Sequence, residues 1–160
     1  MISSATKYSA LLLACGNSMR EDDGFALHLA EAASQRFPPT RLRILAAQQW
    51  TPEMAAEIAL AEMVIFADAS ISTPPGQVVL TPINTAQTIQ DATAGANRET
   101  HRLDPESLLA FTAAWYGHRP RRAYLLTAGA ISLGYSQQIS QNLLQVALPI
   151  ALAYLEQLDV

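Results

Sequence analysis

The sequence predicts an α/β fold in which a mostly parallel sheet carries helices on both faces. Three observations lead there. Short apolar runs alternate with stretches of helical spacing along nearly the whole chain. The runs Ala10–Cys15 and Met63–Ala67 are apolar without interruption, as strands covered on both faces must be. The segments between them carry helix start and stop signals rather than hairpin turns. A chain of 160 residues is the size of one domain, so residues 1–160 are read as a single unit.

Taken in order, Ala10–Cys15 is the first strand. Asp23 to about Arg36 is the first helix, with Phe25, Leu27, Leu29, Ala32 and Ala33 on its apolar side and Pro38-Pro39 ending it. Leu42–Ala46 is the second strand. Thr51 as N-cap and Pro52 at the first helical position open a helix to about Glu62. Met63–Ala67 is the third strand and stops at Asp68. Ser72–Gly76 is a turn, Gln77–Leu80 a short fourth strand, and residues 82–99 a long polar loop. Asp104-Pro105 opens a helix to about Tyr116, Ala123–Thr127 is the fifth strand, and Ser140–Leu158 is a final helix kinked or interrupted at Pro149.

Composition removes several function classes. Half of the residues are hydrophobic and 15% are charged, which excludes a disordered chain. Fourteen acids against ten Lys and Arg give a net charge of −4, unsuited to a general nucleic-acid binder. A single cysteine, Cys15, excludes an internal disulfide and a multi-cysteine zinc site, and fits a cytoplasmic setting. The longest apolar stretch, Val146–Leu155, falls well short of the roughly 20 residues a membrane span needs. Leu12-Leu13-Ala14-Cys15 imitates a lipoprotein cleavage site, but the apolar core before it is too short, and the run is read as a strand. The expected state is a soluble monomer.

Ligands in open parallel sheets gather beyond the C-terminal ends of the strands. That rule selects Gly16–Gly24, Gln48–Thr51, Asp68–Ser70 and Ala128–Leu133. The first stretch holds Gly16 and Asn17, suited to a sharp turn with positive φ, and then the acids Glu21, Asp22 and Asp23 just before a helix. One carboxylate suffices to complement a helix dipole, whereas three adjacent ones repel each other, so a cation site and helix capping both stand as readings. Asp68 sits at a strand end, as either a ligand or a turn aspartate. His101 lies between the polar loop and the next helix; His28 reads as a helix residue and His118 as a solvated loop residue. Two carboxylates and one imidazole form a site with open positions that suits nickel or zinc and is too poor in oxygen for calcium. There is no Gly-x-Gly-x-x-Gly after a strand, no Walker A sequence and no Gly-x-Ser-x-Gly elbow, and Cys15 reads as a small core residue. Arg98, Arg102, Arg119, Arg121 and Arg122 outnumber nearby Glu99, Asp104 and Glu106; they read as solvated loop charges or as a face for an acidic partner.

Four segments, in this order, resemble the hydrogenase maturation proteases. They are the strand and Gly-Asn turn leading to Asp-Asp-Gly in Leu11–Gly24; the apolar strand ending in Asp-Ala in Val64–Ala69; Thr100-His101-Arg102-Leu103-Asp104-Pro105, similar to a Ser-His-x-Leu-x-Pro motif; and Ala114–Leu133, with its Tyr-Gly-x-x-Pro, strand and Gly-containing turn. The resemblance implies a three-layer α/β/α sandwich with a mostly parallel five-stranded sheet. It also implies a nickel-dependent endopeptidase that removes a C-terminal extension from a nickel–iron hydrogenase large-subunit precursor once nickel is in place. Asp23, Asp68 and His101 would then be both the metal ligands and the catalytic residues, engaging nickel presented by the precursor. Two departures stand out. Ala14 replaces the usual first glycine of Gly-x-Gly-Asn, and Gln48-Gln49-Trp50-Thr51-Pro52-Glu53 replaces an Asp-Gly-Gly-Thr stretch, which bears on which hydrogenase is the substrate. A maturation chaperone that holds the same subunit without cutting it, and a small-ligand α/β hydrolase, are the alternatives.

Overall fold

Leu11, Leu12 and Leu13 have no exposed surface, because β1 (Tyr8–Cys15) runs through the sheet with a parallel neighbour on each side. The structure is a computed structural model describing residues 6–88, 90 and 103–160. β2 (Leu42–Ala47) lies on one side of β1 and β3 (Ala61–Pro75) on the other, followed by β5 (Arg122–Gly129) and, at the edge, β4 (Val78–Pro82), giving the order β2-β1-β3-β5-β4. All pairs are parallel except β4 with β5. This is the mostly parallel five-stranded sheet expected from the sequence. Pro82, which cannot donate to a ladder, sits on the edge strand where that is tolerated.

Strand alternation sorts the apolar side chains into two layers. Leu12, Ile65 and Leu126 pack with Phe25, Leu29 and Ala33 of α1 (Phe25–Arg36) and with Ala151 and Leu155 of α4 (Leu148–Gln157). Leu11, Leu13, Val64 and Phe66 point the other way, onto Ile58 of α2 (Ala55–Ile58) and Leu108 and Leu109 of α3 (Pro105–Tyr116). Each large side chain so buried contributes about 1.5–3 kcal/mol. The helix start at Asp104 is as expected: its carboxylate accepts from Ser107 N at 2.7 Å, and Pro105 takes the first helical position.

Several boundaries differ from the sequence reading, each for a physical reason. The helix expected over 52–62 is a 3-10 turn, Pro52–Met54, plus four α residues, because Ala61 already pairs with Tyr8 in β3. Thr51 holds the cap position without a side-chain cap bond. β3 does not stop at Asp68 but continues along β5 to Pro75. The final helix is interrupted as expected, but upstream of Pro149, by a π turn at Leu143–Ala147. Pro149 lacks the N–H that would bond Gln145, and its ring crowds that carbonyl, so the ladder adjusts upstream. Among the described residues, no helix is long and apolar enough to cross a membrane.

Candidate active site at the C-terminal edge of the sheet

The site begins where β1 ends. Gly16 N bonds Ala47 O, and the chain turns so sharply that a Cβ on Gly16 would overlap the carbonyl oxygen of Asp23. The glycine is needed for close approach. The positive φ expected of Gly16 or Asn17 falls instead on Glu21, at 46°. Asn17 closes the turn with its side chain, Oδ1 accepting from Met19 N at 2.9 Å. Its own N–H donates to the backbone oxygen of Asp23 at 3.2 Å and to Asp23 Oδ2 at 3.1 Å.

The three consecutive acids separate into distinct tasks. They occupy a 3-10 turn, Glu21–Gly24, in which successive side chains point about 120° apart. Asp22 is fully buried. Its Oδ2 accepts from Ile131 N and Ser132 N, each at 2.8 Å, and from Ser140 Oγ at 2.7 Å, while Oδ1 accepts from Ser140 N at 2.7 Å. Burial pushes this carboxyl up, but the bonds from Ser140, Ser132 and Ile131 outweigh it and hold its pKa below the ordinary carboxylate value. Glu21 accepts from Gly134 N at 3.0 Å and from the Ser132 hydroxyl. Two of the three charges are therefore satisfied by the loop after β5. Asp23 is the acid that lines a cavity, and among the described residues its Oδ1 makes no hydrogen bond.

That cavity, of about 280 Å³, is lined by Arg20, Asp23, Ala69, Ser70, Ile71, Ala130 and Leu133. Its walls come from the segments after β1 and β5 and from the outer part of β3, three of the four stretches chosen by the strand-end rule. Gln48–Thr51 does not line it. Trp50 instead packs edge-on against Phe66 at 5.6 Å, and Gln48 O accepts from Cys15 Sγ at 3.2 Å.

Asp68 lies where β3 loses one neighbour. The last pairing with β1 is Ala67 with Ala14, and Asp68 then pairs with Thr127 of β5. By alternation it shares a face with Val64 and Phe66, the face covered by α3. Two residues further, β3 bulges: Ser70 and Pro75 both pair with Gly129, and residues 71–74 are thrown outward. Gly129 permits this, since a Cβ there would overlap Pro74 O. Thr73 folds back, its Oγ1 lying 2.8 Å from Thr127 Oγ1. His101 lies outside the described residues, as do Arg98, Glu99 and Arg102. The two carboxylates are thus placed at one edge, without a described position for the imidazole.

Sequence reasoning missed several residues here. Arg20 donates from Nε and Nη2 to Leu133 O at 3.2 and 2.9 Å and stacks on the Tyr135 ring at 4.6 Å. Ile71 of the cavity lining is 82% exposed, and Met19 on the turn after β1 and Ile131 and Tyr135 on the loop after β5 are exposed too, Tyr135 by 89%. His118, read as solvated, bonds Ala61 O at 2.7 Å. Arg119 donates to Thr85 O and Gln87 O at 2.8 Å each, and Arg122 to Leu158 O at 3.4 Å, so part of the basic stretch is committed to backbone carbonyls.

Chemically, the cavity combines an acid, Asp23, and a base, Arg20, with the exposed apolar side chain of Ile71. Asp23 lines the cavity, whereas Asp68, at the same edge of the sheet, lies on the strand face shared with Val64 and Phe66. No family model and no curated protein matches the chain. Solved structures do. The chain is similar to the hydrogenase maturating endopeptidase HybD from E. coli, with a TM-score of 0.67 and 22% identity over 92% of each chain. It is similar to the [NiFe] hydrogenase maturation protease HycI from Thermococcus kodakarensis, with a TM-score of 0.70 and 20% identity over 99% of this chain and 96% of that one. A hydrogenase 2 maturation peptidase from a Thaumarchaeota archaeon matches with a TM-score of 0.64 and 24% identity, over 92% of this chain and 97% of that one. At these identities the likeness establishes the fold, the one the motif resemblance implied.

Proposed function

We propose that the chain is an endopeptidase of hydrogenase maturation, which cuts a C-terminal extension from a nickel–iron hydrogenase large-subunit precursor after nickel insertion. The observation that carries the reading is Asp23, whose carboxylate lines a rim cavity in a fold shared with solved maturation endopeptidases. Near full-length coverage in both directions supports it, as does the presence of Asp68 at the same sheet edge. His101 completes the donor set on the strength of its motif and its place four positions before Pro105, where α3 begins.

In this reading nickel is part of the substrate, held by thiolates of the precursor. The chain, with one buried cysteine, offers the harder oxygen and nitrogen donors. When bound, the metal supplies Lewis-acid polarisation near the scissile peptide. Asp23, Asp68 and His101 recognise the loaded precursor and fix its orientation. A carboxylate of this set takes the proton of the attacking water and returns it to the departing amine, so that one peptide bond and one water become a carboxylate and a free amino terminus. The exposed apolar side chains of Ile71, Ile131 and Tyr135 favour a polypeptide over a small molecule as occupant.

The test is to incubate the purified chain with nickel-loaded and nickel-free precursor and weigh the products. Loss of C-terminal mass from the loaded form only, abolished by Asp23→Ala, Asp68→Ala or His101→Ala, is the expected result. A stable complex with no mass loss would assign the chain to a chaperone role, and no interaction at all would return it to small-molecule chemistry.

A further inference from the structure

Asp22 and its partners link the two chain segments that wall the cavity. Arg20 and Asp23 come from the turn after β1; Ala130 and Leu133 come from the loop after β5. Asp22 stands between them with no exposed surface and accepts four hydrogen bonds from Ile131, Ser132 and Ser140. Among the described residues no Arg or Lys pairs with it, so peptide and hydroxyl dipoles meet its charge. Glu21 and Arg20 add bonds to Ser132, Gly134 and Leu133 of the same loop.

We infer that Asp22 is a positioning residue: it locks the 130–140 loop onto the turn after β1 and thereby fixes the direction in which Asp23 faces the cavity. The geometry of the 3-10 turn supplies the link. With about three residues per turn, an inward-anchored Asp22 leaves Asp23 rotated by about 120°, toward the cavity. If Asp22 lost its anchor, the turn would be free to rotate, and the loop would lose the donors' common acceptor. The inference rests on the proposed peptidase only for what the cavity does; the coupling between Asp22 and Asp23 stands on geometry.

Asp22→Asn is nearly isosteric but turns an amide NH2 toward backbone N–H donors, so at least one bond becomes a donor–donor contact. Ser140→Ala, a milder change, removes only the hydroxyl bond. Amide hydrogen exchange reads the result without activity. In Asp22→Asn the amides of Ile131, Ser132 and Ser140 should exchange at least tenfold faster. So should the amide of Asn17, which reports on the placement of Asp23 in the turn because it bonds both the backbone oxygen and Oδ2 of that residue. Val64, Ile65 and Phe66 should stay protected. Ser140→Ala should show the same pattern in weaker form, which keeps the inference testable if Asp22→Asn does not fold. On loaded precursor, kcat should fall at least tenfold in Asp22→Asn, whereas Ile65→Val, a core change away from the site, should lower the melting midpoint without that fall. Wild-type protection of Asn17 in the Asp22 variant would overturn the inference, as would an unchanged kcat. If wild-type protein cleaves no precursor, the proposed function fails, and the exchange pattern still decides the role of Asp22.

Discussion

Asp22 and Ser140, 118 positions apart in sequence, are joined by two hydrogen bonds of 2.7 Å, one from the Ser140 N–H to Oδ1 and one from its hydroxyl to Oδ2. The pair fastens the entry to the last helix to the turn after the first strand. It also explains why three adjacent acids are stable there: bonds to charged groups contribute about 1.5–3 kcal/mol each, enough to offset their mutual repulsion.

That anchoring gives stability a defined pH dependence. The Asp22 carboxyl is held below its ordinary value when folded, so the unfolded chain binds its proton more tightly. Its contribution is fully present above the unfolded pKa of about 3.9 and is lost as pH falls through the lower folded value. The melting midpoint of metal-free wild type should therefore exceed that of Asp22→Asn at neutral pH, and the gap should narrow below about pH 4. A gap that stays constant down to pH 2 would contradict the assignment.

Gly16 should be intolerant of any side chain. An added Cβ would overlap the backbone of Asp23, which a shift of a flexible side chain cannot relieve. Gly16→Ala should cost about 1–3 kcal/mol as overpacking and also displace the cavity carboxylate. Gly117→Ala is the control: Gly117 has φ of 63° at the end of α3 with nothing near its Cβ position. It should lose stability through backbone strain alone and process precursor at the wild-type rate. Denaturant unfolding paired with a processing assay separates the two.

His118 should behave as a structural residue. Its ring nitrogen holds the Ala61 carbonyl at the start of β3, far along that strand from Asp68. His118→Ala should cost about 0.5–1.5 kcal/mol and leave processing unchanged. A loss of processing comparable to that of His101→Ala would place His118 in the site after all.

What was legible in the sequence followed from local rules. Uninterrupted apolar runs gave β1 and the inner half of β3, and the Asp104-Pro105 cap gave α3 almost to the residue. Three of the four stretches selected by the strand-end rule line the cavity, because that rule depends only on topology. What stayed hidden was non-local. The continuation of β3 past Asp68 depends on β5 lying beside it, and the partners of Asp22 lie more than a hundred residues away. The acidic triplet signalled that something had to neutralise it; a single sequence does not distinguish a cation from a ring of peptide N–H groups. Arg20 carried no local signal, since its acceptor is a backbone carbonyl at Leu133.

The apolar rim yields the last prediction. Ile71 lines the cavity on the outward bulge of β3, and Tyr135 covers the Arg20 guanidinium, yet both present most of their surface to water. Because neither is packed in the core, replacing them should scarcely change the melting midpoint. If a precursor segment covers them, burial of an isoleucine-sized side chain contributes about 1.5–3 kcal/mol to docking. At about 1.4 kcal/mol per tenfold, Ile71→Ser should then raise KM for the loaded precursor roughly ten- to a hundredfold while kcat holds. Tyr135→Ser should raise KM as well, through lost apolar contact and a less constrained Arg20. A fall in kcat with KM unchanged would instead assign these side chains to the bond-breaking step, and unchanged kinetics in both variants would remove the rim from precursor recognition.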